Sequence, residues 1–402
     1  MFSKNAKSAD KQLVMTALGI SAEARNEKYL GLPVYMGKSK EKTLNYLKDR
    51  VWKRIQGWKE KLLSKAGKEV LIKSVAQAIP SYAMSCFDLT KTLCDAISSI
   101  FCRFWWAQQD NEHKMHWLSR EVLCTRKEKG GLGFRDLNLF NLALLARQGW
   151  RLLTSLDSLC ARVLRAKYFP DGDLLNVQEG PGMSYSWRSI VRGVKAMNEG
   201  LIWRVGDGTN INIWLDPWIP DGVTRRPITP REQTLLTKVS ELIDPITGTW
   251  DRVLIEEVFW EEDWKLILRI PIKQGMDDLI AWHFDRKGVF SVKSAYHTLD
   301  AIKGREACRQ VGASSSSAES SGASPSNTDF CWKKIWSLKC PPKVQQFFWR
   351  FTHKVTIALL CGEVFVGVGW RLILGVQYAG GWMRMVAIAS SNASFPRGAG
   401  VL

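Results

Sequence analysis

Apolar residues in the first half of the chain recur at intervals of three and four positions. The two clearest stripes are Leu93, Ile97, Ile100, Phe101, Phe104 and Trp105, and Leu139, Leu142, Ala143, Ala146, Trp150 and Leu153. Side chains at this spacing lie on one face of an α-helix and can pack into a core. Residues that can cap a helix precede each stripe: Thr90 or Thr92, and Asp136 or Asn138. The pattern predicts two long helices, with a glycine-rich turn at 130–133 between them.

After about residue 200 the period changes from helical to alternating. Residues 201–214 alternate around a glycine turn at 206–208, and residues 280–292 alternate around 285–288. Alternation on both sides of a short turn is typical of a β-hairpin. We therefore predict two hairpins and a helix from about Lys293. The expected fold class is mainly α with small β-hairpin elements (α+β).

Charge is unevenly distributed along the chain. The formal net charge is +18, and residues 38–73 alone hold twelve Lys and Arg against four Asp and Glu. Residues 201–264 have the opposite balance, with six basic and twelve acidic side chains. Because solubility needs no such segregation, the basic stretch predicts a polyanionic partner, with nucleic acid favoured over an anionic membrane.

Other features of the sequence concern compartment and organisation. The uncharged run 372–383 is shorter than the roughly 20 residues that cross a bilayer, so no membrane insertion is expected. Nine cysteines without regular spacing, and a polar start at 1–11, favour an intracellular protein, nuclear or cytoplasmic and not secreted. Residues 311–328 are rich in serine and poor in apolar side chains, which predicts a linker.

The basic stretch supplies the candidate nucleic-acid-binding residues. They are Lys48, Lys53, Arg54, Lys59, Lys61, Lys65, Lys68 and Lys73. Trp52, Ile55, Trp58 and Leu62 lie among them at near-helical spacing, so one helix face can pack while another presents cations to phosphates. Stacking on bases is one interpretation of Trp52 and Trp58, but core packing is the favoured role. An ordinary solvated helix face is the alternative interpretation of the whole stretch.

An ordered set of short motifs runs from residue 29 to residue 344. The set is YLGLP (29–33), VWKRIQGWK (51–59), LSKAGK (63–68), IP (79–80), FWW (104–106), GGLGF (130–134), WRVGDG (203–208), IWLDPW (213–218), FSVKSAY (290–296), Trp336 and PPKV (341–344). In order and spacing it resembles the reverse-transcriptase polyproteins of plant LINE-class (non-LTR) retrotransposons, which often carry the name ribonuclease H protein. The likeness extends to about His353 and concerns the C-terminal portion of such polyproteins.

The resemblance implies a layout in six segments. These are a thumb-like basic helical region (1–80), a helical connection region (81–200), a hairpin-containing acidic region (201–310), the serine-rich linker (311–328), the start of a reverse-transcriptase zinc-binding-like domain (329–353) and a divergent tail (354–402). In the family a polymerase palm precedes the first segment and an RNase H domain follows the zinc-binding domain. We therefore expect the zinc-binding-like segment to be truncated, and the palm and RNase H domains to be missing.

No residue set predicts a catalytic or metal site. Residues 275–278 (GMDD) superficially resemble the paired-aspartate turn of a reverse transcriptase, but they lie downstream of where a palm would end, so a polar loop is expected. Cys331, Cys340, His353 and Cys361 lack the close-paired spacing of a structural zinc site. No Gly-x-Ser-x-Gly motif is present. We therefore expect no catalytic residues, no metal ligands and no cofactor.

Together these observations predict a non-catalytic, nucleic-acid-binding remnant of a retroelement reverse transcriptase. Its expected partner is RNA, DNA or an RNA–DNA hybrid, held through phosphate contacts, and the oligomeric state is not determined by the sequence. Three alternatives remain open. The chain could be an accessory part of a reverse transcriptase whose palm is supplied in trans, an adaptor that binds proteins through the acidic segment 201–264, or a chain with no selected function.

Overall fold

The computed structural model of the chain describes residues 7–19, 28–33, 36–37, 39–59, 63–106, 118–221, 224–231, 234–273, 275–313, 332–360, 371–379 and 382–390. Its contacts divide the chain into two compact units, Met1–Phe330 and Cys331–Leu402. The division falls just after the serine-rich segment, most of which lies outside the described residues. The finer segment limits, at residues 80, 200, 310, 328 and 353, remain predictions.

Helices dominate the first unit. They are α1 (Ser8–Ala17), α2 (Lys40–Leu44), α3 (Tyr46–Lys59), α4 (Lys65–Ser74), α5 (Ser81–Met84), α6 (Lys91–Trp106), α7 (Arg120–Cys124), α8 (Leu137–Thr154), α9 (Leu159–Tyr168), α10 (Tyr185–Asn198), α11 (Arg252–Val258), α12 (Glu261–Ile267) and α13 (Val292–Ala313). The strands are β1 (Lys28–Tyr29), β2 (Leu32–Pro33), β3 (Leu201–Arg204) and β4 (Leu279–Trp282). Strand β1 pairs with β2, and β3 with β4, both antiparallel. The predicted class, mainly α with small β elements, is confirmed.

The described part of the second unit contains two helices and one strand pair. They are α14 (Trp332–Trp336), α15 (Pro342–Leu360), β5 (Arg371–Ala379) and β6 (Trp382–Ser390), with β5 antiparallel to β6. Trp349 of α15 is fully buried, and the His353 ring stacks on Trp332 with ring centroids 4.4 Å apart. In neither unit does a helix, over the residues described, combine the length and apolar content that a bilayer span requires.

Both helices predicted from the apolar stripes are present, and their caps are side chains named from the sequence. The hydroxyl oxygen of Thr90 accepts the Leu93 N–H at the start of α6. Asp136 Oδ1 accepts the N–H groups of Asn138 and Leu139 at the start of α8. Each cap satisfies backbone donors that have no partner within the first helical turn. The turn between the helices contains Gly130 and Gly133, both at positive φ.

The predicted hairpin over residues 201–214 is wrong. Strand β3 pairs instead with β4, about 75 residues later, in the register Leu201↔Trp282 and Arg204↔Leu279. The chain does not reverse at 206–208, because the Asp278 carboxylate, which precedes β4, accepts the N–H groups of this loop. Beyond the loop, the Ile213 N–H donates to the Thr237 carbonyl, so the second predicted strand finds a different partner.

The predicted hairpin over residues 280–292 is also wrong in its second strand. The Trp282 N–H donates to the Gly288 carbonyl and closes the turn, but residues 289–291 form no strand. The Ser291 hydroxyl accepts the Ser294 N–H and begins α13 at Val292, one residue before the predicted start. The helix cap therefore ends the extended segment before a ladder can form.

The central core of the first unit lies between α8, α10 and α13, with β3 and β4 at its edge. Its larger buried side chains include Trp187, Val194, Met197, Leu201, Trp282 and Phe290. Helices α8 and α10 approach each other closely at Gly193 of α10, where an added Cβ would lie 2.4 Å from the Leu145 carbonyl carbon. Only glycine fits this position, since real Cβ atoms do not approach backbone atoms so closely.

A buried amide joins this core to the preceding helices. Asn141 of α8 is 1% exposed, and its Nδ2 donates to the carbonyls of Met84 (2.7 Å) and Phe87 (2.9 Å). Its Oδ1 accepts the Leu89 N–H at 2.7 Å. Three backbone groups of residues 84–89, at the end of α5 and just after it, are thus satisfied by one side chain, which is what burial of those groups requires.

A second apolar core occupies the acidic segment, around Ile211, Ile213, Trp218, Leu242 and Ile255. Because this segment has little regular structure, buried ionic side chains hold its backbone. Asp263 Oδ2 accepts the N–H groups of Ile228 and Thr229 and the Thr229 hydroxyl, at 2.6–2.8 Å. The Arg225 guanidinium donates to the carbonyls of Glu199 and Leu201. Unpaired backbone groups here would otherwise be buried at a cost of about 1–3 kcal/mol each.

The close approach at Gly193 gives a stability prediction. Gly193→Ala should lower the free energy of unfolding by about 1–3 kcal/mol, because overpacking outweighs the gain in helix propensity. Gly304→Ala in α13 is the matched control, since nothing lies within 4 Å of its added Cβ, and it should stabilise by about 0.5–1 kcal/mol. Urea unfolding followed by circular dichroism measures both. A Gly193→Ala protein as stable as the wild type would contradict the described crossing of α8 and α10.

Candidate nucleic-acid interface

Helix α3 carries the first part of the basic stretch. Leu47, Val51, Ile55 and Trp58 form its buried face, and the Trp58 ring lies 5.8 Å from that of Phe104 in α6. This apolar face fixes the rotation of α3 about its axis. The helix has one carboxylate, Asp49, against five Lys and Arg, so its solvent side is strongly cationic.

Three cations lie on the solvent side of α3. Arg50, Lys53 and Arg54 are all exposed, and their spacing of three and four residues makes them neighbours on the helix surface. In the part of the chain that the structure describes, none of the three forms an ion pair. The Arg54 guanidinium lies 5.9 Å from the Trp58 ring centroid. We name Arg50, Lys53 and Arg54 the α3 cation patch.

Arg50 is not among the residues selected from the sequence, although it belongs to the same basic stretch. Its position three residues before Lys53 and four before Arg54 is the signal that could have identified it. Lys48, which is among them, is half-buried and lies on a different side of α3. Lys59 ends α3 and its side chain, like the whole of Lys61, lies outside the described part of the structure.

Lys65 of α4 makes contacts within the protein. Its ammonium group donates to the carbonyls of Trp105 (2.6 Å) and Trp106 (3.1 Å), at the end of α6. These are among the carbonyls that have no partner in the last helical turn, and the helix dipole favours a cation there. Lys65 therefore connects α4 to α6.

Lys68 and Lys73 also lie against protein groups. Lys68 is 8% exposed, with its ammonium 5.1 Å from the Phe104 ring centroid. Lys73 forms a 2.5 Å ion pair with the buried Glu69, which also pairs with Lys127 at 2.8 Å. Burial lowers the pKa of Lys73, and attraction to Glu69 offsets part of that effect. The structure thus leaves Arg50, Lys53 and Arg54 of α3 exposed and places Lys65, Lys68 and Lys73 of α4 against protein groups.

Two aromatic residues of α3 have different environments. Trp58 is buried with 8% exposure, in agreement with the favoured core role, whereas Trp52 is 37% exposed. The Arg103 guanidinium of α6 lies 5.8 Å from the Trp52 ring centroid. Arg103 is exposed and is not in the basic stretch, so only the packing of α6 on α3 brings it to this surface.

The paired aspartates at 277 and 278 belong to a loop. Asp278 Oδ1 accepts the N–H groups of Gly206 (2.8 Å) and Gly208 (2.9 Å), and Oδ2 accepts that of Asn210 (2.9 Å). Three backbone donors occupy both oxygens of this carboxylate. Asp278 consequently has a structural role in positioning the loop beside β3.

Two of the four candidate zinc ligands, Cys331 and Cys361, lie outside the described residues. Cys340 is half-buried, and His353 packs between two tryptophan rings of the second unit. Over the described ranges, no three His, Cys, Asp or Glu side chains are grouped to hold a metal ion. Burial raises the pKa of the Cys94 thiol to about 12, and that of Cys124 likewise, which keeps both in the unreactive thiol form.

Comparison with known proteins gives the family of the chain. No protein-family model matches it. An uncharacterized mitochondrial protein of Arabidopsis thaliana is 43% identical over 152 residues, which are 38% of this chain and 99% of that protein. The chain belongs to the same family as this mitochondrial protein.

A second relative extends the similarity over more of the chain. It is a “Putative ribonuclease H protein” of Arabidopsis thaliana, 29% identical over 336 residues, or 79% of this chain and 49% of the relative. The chain thus spans about half the length of that relative.

The different environments of Lys65 and Lys53 give a second prediction. Lys65→Met should lower the free energy of unfolding by roughly 1–2 kcal/mol, because it leaves two helix-end carbonyls without their charged donor. Lys53→Met should change it by less than about 0.5 kcal/mol, since Lys53 is exposed. Urea unfolding of both variants tests this, and equal stability losses would contradict the different roles assigned to the two residues.

Proposed function

We propose that this chain binds RNA, DNA or an RNA–DNA hybrid through the α3 cation patch and performs no phosphoryl transfer of its own. In this proposal it is a retroelement-derived relative of reverse transcriptases, of the plant LINE class. The observation that carries the proposal is the exposure of Arg50, Lys53 and Arg54 side by side on one helix. Other members of the basic stretch, Lys65, Lys68 and Lys73, would make contacts within the protein and not contact phosphates.

Electrostatics supports a polyanionic partner for this surface. A patch that neutralises phosphates releases condensed counterions, which gives affinity without sequence preference. Guanidinium groups, of which the patch has two, form paired hydrogen bonds with phosphate oxygens. The acidic segment around Ile211 and Trp218 would be repelled by the same partner, so binding through α3 would also orient the chain.

The relatives support the same class of partner. The second relative is named as a ribonuclease H protein, and a ribonuclease acts on a nucleic acid. The ordered motifs of this chain resemble those of plant LINE-class reverse-transcriptase polyproteins, in which the corresponding helices form a thumb-like and connection region. A nuclear or cytoplasmic location remains a prediction, and the first relative carries the word mitochondrial in its name.

The proposal of a non-catalytic role is supported by the state of Asp278. Two-metal phosphoryl transfer needs carboxylate oxygens that are available to metal ions. In the paired-aspartate loop, both oxygens of Asp278 accept backbone N–H groups. If the two oxygens bound metal ions instead, the N–H groups of the loop before Asn210 would lose their acceptors.

Salt dependence tests binding through phosphates. For the wild type, the logarithm of the association constant for a labelled RNA–DNA hybrid should fall linearly with the logarithm of salt concentration. Arg50→Gln, Lys53→Gln and Arg54→Gln combined should make this slope shallower by about 2–3, because each lost phosphate contact contributes nearly one. Fluorescence anisotropy over a salt series gives the slope.

The control for this test is a triple variant with the same change in charge, Arg269→Gln, Arg286→Gln and Lys287→Gln. These residues are exposed but lie near the acidic segment and the β4 turn. Their removal should leave the slope within about one unit of the wild type, since they contact no phosphate in the proposal. If both triple variants had an equally shallow slope, net charge alone would explain the effect, and the α3 interface would be rejected.

Primer extension tests the non-catalytic role. The isolated chain, given a primed template, nucleotides and Mg²⁺ or Mn²⁺, should incorporate no nucleotide, because no metal-holding carboxylate pair is proposed for it. Incorporation by the isolated chain that is absent from a mock preparation of the same purity would overturn this part of the proposal. The hybrid-binding measurement is independent of that outcome.

A further inference from the structure

Trp52 differs in exposure from the other tryptophans where α3 and α6 meet. Trp58, Trp105 and Trp106 are 8%, 0% and 5% exposed, whereas Trp52 is 37% exposed. An indole ring gains free energy from burial, so its partial exposure on a helix that otherwise buries its apolar residues needs a reason. Leu47, Val51, Ile55 and Trp58 are the buried apolar residues of α3, and Trp52 is not among them.

One cation lies beside the Trp52 ring, and two others are its neighbours on α3. The Arg103 guanidinium carbon is 5.8 Å from the ring centroid. Lys48 precedes Trp52 by four residues and so lies on the same side of α3, about 6 Å along the axis. Lys53 is the next residue and belongs to the α3 cation patch. A guanidinium beside an indole is held by cation–π attraction, which limits the rotamers of both groups.

We propose that Trp52 is a base-stacking residue for single-stranded nucleic acid, with Arg103, Lys48 and Lys53 contacting the phosphates on either side of the stacked base. The proposal rests on the proposed function and narrows it from nucleic acid in general to a strand with unpaired bases. Aromatic rings among cations that follow a backbone are the usual means of holding single strands without sequence preference. In a duplex the base faces are covered by their neighbours, so Trp52 would have little to stack on.

The spatial arrangement supports a strand path across α3. Lys53 and Trp52 are separated by about 100° around the helix. A strand whose base contacts Trp52 can therefore place its following phosphates near Lys53 and Arg50. The only carboxylate of α3, Asp49, lies between these positions on the helix surface. It would repel a phosphate directly above it, which favours a path where a base and not a phosphate crosses that point.

The test compares two strands that differ only in their bases. One is a labelled single-stranded DNA oligonucleotide, and the other has the same length and phosphate number but consists of abasic sites. The wild type should bind the base-bearing strand roughly five- to hundredfold more tightly. Trp52→Leu should remove this preference and leave affinity for the abasic strand unchanged, whereas Trp52→Phe should retain most of it.

Trp260 provides the matched control. It is another exposed tryptophan, at 52%, but Glu261 and Glu262 follow it at the start of α12. Trp260→Leu should leave the affinity for both strands unchanged, because a strand cannot approach a ring among carboxylates. Thermal unfolding of each variant establishes that the fold is retained before binding is compared.

Each outcome decides the proposal. Loss of the base preference in Trp52→Leu alone supports it. An unchanged preference in Trp52→Leu, an equal loss in Trp260→Leu, or no preference in the wild type overturns it. Failure of the proposed function has a different signature: the Arg50, Lys53 and Arg54 triple variant would then bind the abasic strand as tightly as the wild type does.

Discussion

The buried amide of Asn141 connects the helices that carry the cations to the helices that form the central core. It satisfies two carbonyls and one N–H in the segment 84–89, which leads from the end of α5 towards α6. Because buried backbone groups without partners are costly, this segment has one low-energy position against α8. The start of α6 is fixed with it, and α3 packs on α6 through Trp58 and Phe104. The orientation of the proposed interface therefore depends on a polar contact well inside the protein.

Packing divides the basic stretch into two groups with different tasks. On α4, Lys65 donates to the end of α6 and Lys73 pairs with Glu69, so these charges are used within the protein. On α3, the apolar face turns Arg50, Lys53 and Arg54 outward. The charge available to a partner is consequently smaller than the sequence count suggests, and among the described residues of the stretch three exposed cations lie together on one helix. Such concentration is what distinguishes a binding surface from a general excess of cations.

The acidic segment and the residues just after it are stabilised differently from the helical core. Their backbone is mostly irregular, and Asp263, Asp278 and Arg225 are used as internal partners for N–H and carbonyl groups. The Trp residues of the acidic segment fill a core of their own, as Trp218 does. Acidic composition here reflects both structural carboxylates and a solvated surface. In the proposed function, the negative charge of this segment would repel a strand that the α3 cation patch attracts, which would orient the bound strand.

Much of the local structure can be predicted from the sequence. The stripe from Leu93 to Trp105 and its Thr90 cap, and the stripe from Leu139 to Leu153 with Asp136, contain the period and the capping group of their helices within a few residues. Strand positions near 201 and 280 are predicted in the same way, because alternation is also local. Their pairing is not, since β3 and β4 are about 75 residues apart in the chain, and so are the 206–210 loop and the Asp278 carboxylate that binds it.

The amino-acid sequence by itself determined the helical class, the segregation of charge and the family of motifs, all of which are properties of neighbouring residues. The tertiary structure decided which cations face solvent, because exposure depends on what packs against each helix. It buried Lys68, exposed Arg50 and brought Arg103 of α6 to Trp52 of α3, across about 50 residues of chain. The periodicity of the sequence does not predict such a contact, because the contact arises only when the apolar faces of the two helices pack against each other.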